Sequence, residues 1–128
     1  MSLALVKSIF SRLTADATVA ALVSTRVYPL IQPQPVVSPS IVYQVIVDIP
    51  LNTLDGSAVG DLYQTRLQTD SYGKTYIEAQ GLADAVNAVF GSVTSQHFTS
   101  VRLTRRDLYE PDTKLHRVSM DFSIWSDL

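Results

Sequence analysis

The side chains best equipped for chemistry in this sequence are two histidines, His97 and His116, and three carboxylates around one segment, Asp48, Asp55 and Asp61. A basic cluster near the end, Arg102, Arg105, Arg106, Lys114 and Arg117, is the third candidate. The chain has no cysteine, so thiolate zinc, iron–sulfur clusters, disulfides and a thiol nucleophile are all excluded. A transition metal would then need both imidazoles, or one with carboxylates, and no HxH, HExxH or HxxE spacing is present. A hydroxyl nucleophile would have to use one of the same histidines as its base, and no GxSxG turn offers such a hydroxyl. Neither GxxxxGK[ST] nor GxGxxG occurs, so no glycine loop is shaped to cradle phosphate. The three aspartates have the oxygen chemistry for a hard cation, but acidic residues at a hairpin tip read first as solvated side chains. No convergent acid, base and nucleophile can be named, and the expectation is a protein without catalytic centre, metal or cofactor.

Five of the ten basic residues fall in sixteen positions, Arg102 to Arg117, where Tyr109 and Trp125 lie nearby as potential stacking partners for bases. Asp107, Glu110, Asp112 and Asp121 are interleaved with them, and cross-strand ion pairing accounts for the pattern more economically. Overall charge agrees, because a formal net of −2 lacks the cationic excess that captures nucleic acid or anionic lipid. A length of 128 residues, 46% of them hydrophobic, is right for one domain with one core, spanning 1–128. The opening MSLALVKSIFSRL is interrupted by Lys7, and no stretch approaches the ~20 apolar residues that span a bilayer. A cytoplasmic origin is expected.

The elements that must position these residues follow from periodicity. Leu3, Val6, Ile9, Phe10 and Leu13 form one helical stripe, and Asp16 is placed to cap a short second helix from Ala17 to Val23. Tyr28 to Pro39 holds four prolines in twelve residues and reads as an extended loop. Ser40–Ile49 and Asp61–Tyr72 read as strands, with Tyr43, Val45 and Val47 on one buried face and Tyr63, Thr65 and Leu67 on the other. Between them lies PLNTLDGSAVG, about residues 50–60, a loop long enough to suggest a task. Gly73–Phe90 gives the strongest helix, with Tyr76, Ala79, Leu82, Ala83, Val86 and Phe90 on its apolar stripe.

A final hairpin, Phe98–Tyr109 and Lys114–Ser126, turns at Glu110–Thr113. Pairing about that turn sets Thr99, Val101 and Leu103 opposite Ile124, Phe122 and Met120, with Arg102 opposite Asp121 on the reverse face. The order of elements predicts an α+β fold: a four-stranded antiparallel sheet of two hairpins, with the N-terminal helices and one long central helix packed on one face. The other face would then carry Val42, Gln44, Ile46, Gln64, Arg66, Gln68, Phe98, Arg102, Asp121 and Trp125. A polar surface with Arg and aromatic interruptions is either a plain solvated face or a partner-binding one. On the second reading Ile46, Arg66, Phe98, Arg102 and Trp125 are candidate contacts, joined by Leu51, Leu54 and Val59 as a contact arm in the long loop.

The passage Arg26-Val27-Tyr28-Pro29, a proline loop, Pro39-x-Ile41-Val42-Tyr43, then Arg66-x-Gln68-x-Asp70-x-Tyr72 leads into a helix with Ala79, Leu82, Ala83, Ala85 and Val86. In order and spacing this resembles the tail completion protein family of long-tailed bacteriophages and prophages, over about Leu13 to Phe90. Where the family often has Trp or a basic residue near the second strand's end, this chain has Ser71. The resemblance implies a non-enzymatic virion part, assembled in a bacterial cytoplasm and located in the tail. Its implied partners are copies of itself in a hexameric ring, the major tail protein and the head–tail connector, without membrane or specific nucleic acid. A small nucleic-acid or peptide-binding module using the outer sheet face is the alternative.

Overall fold

The computed structural model describes residues 3–51, 62–95 and 98–127. Two helices open the chain, α1 (Leu3–Ala15) and α2 (Ala17–Val23), followed by β1 (Val27–Pro29), β2 (Ser40–Leu51) and β3 (Leu62–Gly73). The long helix α3 (Tyr76–Phe90) precedes β4 (Ser92–Ser95), β5 (Phe98–Glu110) and β6 (Leu115–Ser126). The strands form one six-stranded sheet in the order β1-β2-β3-β6-β5-β4, antiparallel except for the parallel pair β1–β2.

The α+β class holds, and the expected four-stranded antiparallel sheet is corrected to a mixed sheet of six. Both additions are short edge strands that local propensity does not announce. β1 is three residues at the mouth of the proline loop, paired as Val27↔Ile41 to Pro29↔Tyr43, and β4 is the polar run Ser92–Ser95 against Phe98–Val101. Each exists because a longer neighbouring strand offers backbone partners.

Local chemistry fixes the helix starts. The Asp16 carboxylate accepts from the Val19 amide at 3.0 Å to begin α2. Thr75 Oγ1 accepts from the Glu78 amide at 3.1 Å to begin α3, and Glu78 Oε1 accepts from the Lys74 amide at 3.2 Å, a variant of the reciprocal capping pair. Gly73 is required just before this helix. A Cβ there would lie 2.7 Å from the Ala79 backbone nitrogen, so the strand-to-helix corner closes only over a hydrogen.

The core lies between the helices and one sheet face. It contains Leu5, Ile9 and Leu13 of α1, Val19 and Val23 of α2, and Ala79, Leu82, Ala83, Val86 and Phe90 of α3. These pack on Ile41, Tyr43, Leu67, Phe98, Val118, Met120, Phe122 and Ile124, with Phe90 central at 5.7 Å from Phe122 and 6.1 Å from Phe98, ring centre to ring centre. On α1 the buried stripe is Leu5-Ile9-Leu13, so of the expected stripe Leu3, Val6 and Phe10 face outward. Tyr76, expected inside, is half exposed at the start of α3.

Two bulges decide which side chains face the core. In β2 the register shifts between Val45 and Val47, so Tyr43 faces the helices as expected while Val47 turns to the outer face and is exposed. In β5 it shifts between Arg102 and Thr104. The hairpin closes at Glu110↔Leu115, with Lys114 at φ 57° in its loop, and pairs Arg105↔Met120 and Asp107↔Val118 on the helix side. Beyond the extra residue Leu103 the faces invert relative to the expected register, giving Val101↔Ser123 and Arg102↔Phe122. Phe98 and Arg102 therefore lie on the helix-facing side, and their expected outer position is corrected. Phe98 is 2% exposed and packs in the core, with the Arg12 guanidinium 4.1 Å over its ring.

Gly73→Ala should destabilise the protein by about 1–3 kcal/mol, since backbone rather than a yielding side chain blocks the new methyl. Phe122→Ala should cost about 3–5 kcal/mol. Urea unfolding followed by circular dichroism checks both, and a Gly73→Ala midpoint equal to wild type would refute the close approach of α3 to β3.

Candidate assembly surface

On the outer sheet face the middle strands carry a ladder of polar side chains that bond to one another. Gln44 Nε2 donates to Gln68 Oε1 at 3.4 Å, Gln68 donates to Ser119 Oγ at 3.0 Å, and Gln64 donates to Ser123 Oγ at 3.3 Å. Arg66 pairs with Asp121 at 2.7 Å across β3 and β6, taking the carboxylate expected to face Arg102. Side chains cross-bonded in this way form a flat surface already satisfied internally, and an ion pair this exposed contributes at most about 1 kcal/mol.

Toward the β2–β3 connection this face turns apolar. Ile46, Val47, Ile49 and Leu62 are each about two-fifths to one-half exposed, and Val101 of β5 is as exposed as they are. The register aligns Ile49, Gln64, Trp125 and Thr99 in one row and Val47, Arg66, Ser123 and Val101 in the next. The structure thus brings Ile46, Arg66 and Trp125 of the expected contacts onto or beside one surface, and moves Phe98 and Arg102 to the other side of the sheet. Leu51 ends β2, its side chain lies outside the described residues, and Leu54 and Val59 lie outside them altogether.

At the opposite end of the same face the proline loop arches over Val42, Tyr72 and Leu115, with Val36 packed against them. It leaves a cavity of about 320 Å³ whose lining includes Leu30, Ile31, Tyr72, Glu110 and Arg117. Leu30 at φ 66° and Ile31 present most of their surface to solvent. Arg117 pairs with Glu110 at 3.2 Å. Burial pushes the Tyr72 phenol above its ordinary pKa, against a hydrogen bond with Arg117 that lowers it.

Helix α3 is tied to β5 by a seam that sequence reading passed over, because the β5 bulge is needed to aim it. Asp107 accepts from Tyr76 Oη at 2.8 Å and from Gln80 Nε2 at 2.7 Å. Arg105 reaches Asp84 at 2.7 Å and Gln80 Oε1 at 2.5 Å, and Arg102 donates to Asn87 Oδ1 at 3.4 Å. Tyr76, Gln80 and Asp84 recur at four-residue spacing, the visible signal of one helix face. Arg66, Arg105 and Arg117 are thus each held by a carboxylate, which removes much of the charge that a nucleic-acid surface would use.

His116 packs between Tyr109, at 4.9 Å, and Tyr76, at 6.1 Å, and His97 lies outside the described residues. Ser71 and Lys74 stand at Ser-x-x-Lys spacing, but Ser71 is fully buried in β3 beneath the helices. Among the described residues no three His, Asp or Glu side chains are grouped to hold a metal.

Hydrogen bonds from Gln80 and Tyr76 hold the Asp107 carboxyl below its ordinary pKa. A depressed carboxylate adds stability above its unfolded value and loses it as pH falls through the folded one. Wild type should therefore have a higher urea midpoint than Asp107→Asn at pH 7, with the gap closing below about pH 4. A gap independent of pH would show that the seam does not depend on charge.

The family model described as "Tail completion protein gp17" matches residues 7–127. Among solved structures, a chain of "Virion of native gene transfer agent (GTA) particle" superposes with a TM-score of 0.67 at 19% identity, covering 92% of this chain and 90% of that one. No curated protein matches.

Proposed function

The chain belongs to the tail completion protein gp17 family and is a structural component of a phage-type tail, and from that premise we propose that it forms the ring that ends the tail tube and joins it to the head connector. The observation that carries this reading is the family match from residue 7 to residue 127, which includes every strand and most of α1. The physics of the subunit supports it. A ring closes by heterologous contacts between two unlike surfaces of one protomer. This domain is unlike at its two ends, with an apolar patch of Val47, Ile49 and Leu62 at one end of the outer face and a loop-covered cavity at the other, as a subunit that meets different neighbours requires.

The partners on this reading are further copies of the chain, the major tail protein and the head–tail connector, met in the virion after assembly in the host cytoplasm. Exposed Leu30 and Ile31 on the proline loop, and the apolar end of the β2–β3 hairpin, are the surfaces proposed to meet them. Ile46, Arg66 and Trp125 lie on or beside the second of these, and Leu51, Leu54 and Val59, named from the sequence, are proposed as further contacts. Phe98 supports β5 from the core, and Arg102, exposed on the helix side, donates to Asn87 Oδ1.

Removing the protein from a particle-producing cell should leave tails of uncontrolled length or tails unattached to heads under the electron microscope. Particles with normal, joined tails would overturn the assignment. A variant lacking Asn52 to Ala58 should reproduce the defect if the hairpin is a contact arm, and normal tails from it would remove the arm alone.

A further inference from the structure

We propose that neighbouring copies join edge to edge, the free margin of β2 in one copy pairing with the free margin of β5 in the next, an inference that rests on the ring reading above. Each end of the sheet is covered over only part of its length. β1 pairs with Ile41 to Tyr43, and the Leu30 amide donates to the Tyr43 carbonyl at 2.9 Å, where the cover ends. No described strand pairs with β2 beyond that on this side, from Gln44 to Leu51. At the opposite margin β4 pairs with Phe98 to Val101, and Arg102 donates to the Gly91 carbonyl at 2.9 Å as the last contact. From Leu103 to Glu110, β5 likewise has no described strand on its outer side.

Unpaired margins of this length are templates for another strand. The two stretches are equal, eight residues each, and they run in opposite directions, because β2 is antiparallel to β3, β3 to β6, and β6 to β5. A copy placed alongside in the same orientation therefore brings its β2 antiparallel to β5, the pairing with the stronger ladder. The uncovered parts lie at opposite ends of the sheet, so the neighbour must be displaced along the strands until β1 of one and β4 of the other clear each other. Such an offset is heterologous and leaves a free margin on each copy until a ring closes.

The β2 stretch QVIVDIPL has one acidic group, Asp48, and the β5 stretch LTRRDLYE balances Arg105 and Arg106 with Asp107 and Glu110. Asp48 stands opposite Thr65 on the helix side and accepts from its Oγ1 at 2.8 Å, and Arg105 on the same side is held by Asp84, so the backbone ladder rather than an ion pair carries the contact. Exposed Val47 and Ile49 on one margin and Leu103 on the other supply apolar contacts beside the ladder. Both margins also carry features that keep isolated copies apart: a bulge in each, Pro50 in β2 and the charges of β5. Each contact is then weak alone and closes when a ring raises the local concentration of its partner.

The chain has no cysteine, so an introduced thiol is unique. Ile49→Cys and Thr104→Cys each place one thiol on the outer face beside a different margin, and the two full-length variants are mixed at rising concentration with a short bismaleimide. Mass photometry follows assembly, and gel electrophoresis follows the adducts. The mixture should give covalent dimers joining the two variants, at least tenfold above either variant alone. Oligomers that form without mixed adducts, or with homotypic adducts as abundant, would overturn the edge pairing and leave the ring standing. A strictly monomeric mass at every concentration would overturn both.

Discussion

The pairing of β3 with β6 is the constraint on which this molecule depends. Eleven consecutive residue pairs, Tyr63↔Ser126 to Gly73↔His116, run without a bulge between segments more than forty positions apart in sequence. Closing that loop costs entropy that only burial can offset, and β6 supplies it with Val118, Met120, Phe122 and Ile124, all 1% exposed or less. Every other element is attached to this pair. β2 hangs on β3, β5 hangs on β6, and α3, which lies between β3 and β5 in sequence, must pack across the same face it helped to create.

Function is distributed differently from stability. The helix side carries the apolar core and the seam of Asp107 and Arg105 to α3, and these hold β5 in place. The outer side carries a self-bonded ladder in its middle and apolar or concave surface at its two ends. A building block needs this division. Its interior must be insensitive to assembly, and its contact regions must be weak enough to wait for the right neighbours.

Much of this was legible in the sequence, and each error has a physical cause that local pattern does not show. Strand and helix positions followed from period-2 and period-3.6 patterns, the Asp16 cap from its place before an apolar run, and the family likeness from the order of its motifs. The side assignments of Val47, Phe98 and Arg102 failed because each lies beyond a bulge, and one inserted residue inverts every side chain past it. On α1 both Leu5-Ile9-Leu13 and Leu3-Val6-Phe10 satisfy helical spacing, so periodicity alone does not say which stripe goes inside.

The sequence by itself determined the element types, the absence of thiol and glycine-loop chemistry, the α+β class and the kinship with tail proteins, because all of these depend on composition and on spacing between near neighbours. Only the tertiary structure decided the six-stranded order, the two short edge strands, the burial of Phe98 and the two uncovered margins. Those are properties of backbone hydrogen bonds between distant segments, and a strand three residues long such as β1 forms only when Ile41 to Tyr43 already lie beside it. Where a sheet stops is set by the last available partner, which no local pattern encodes.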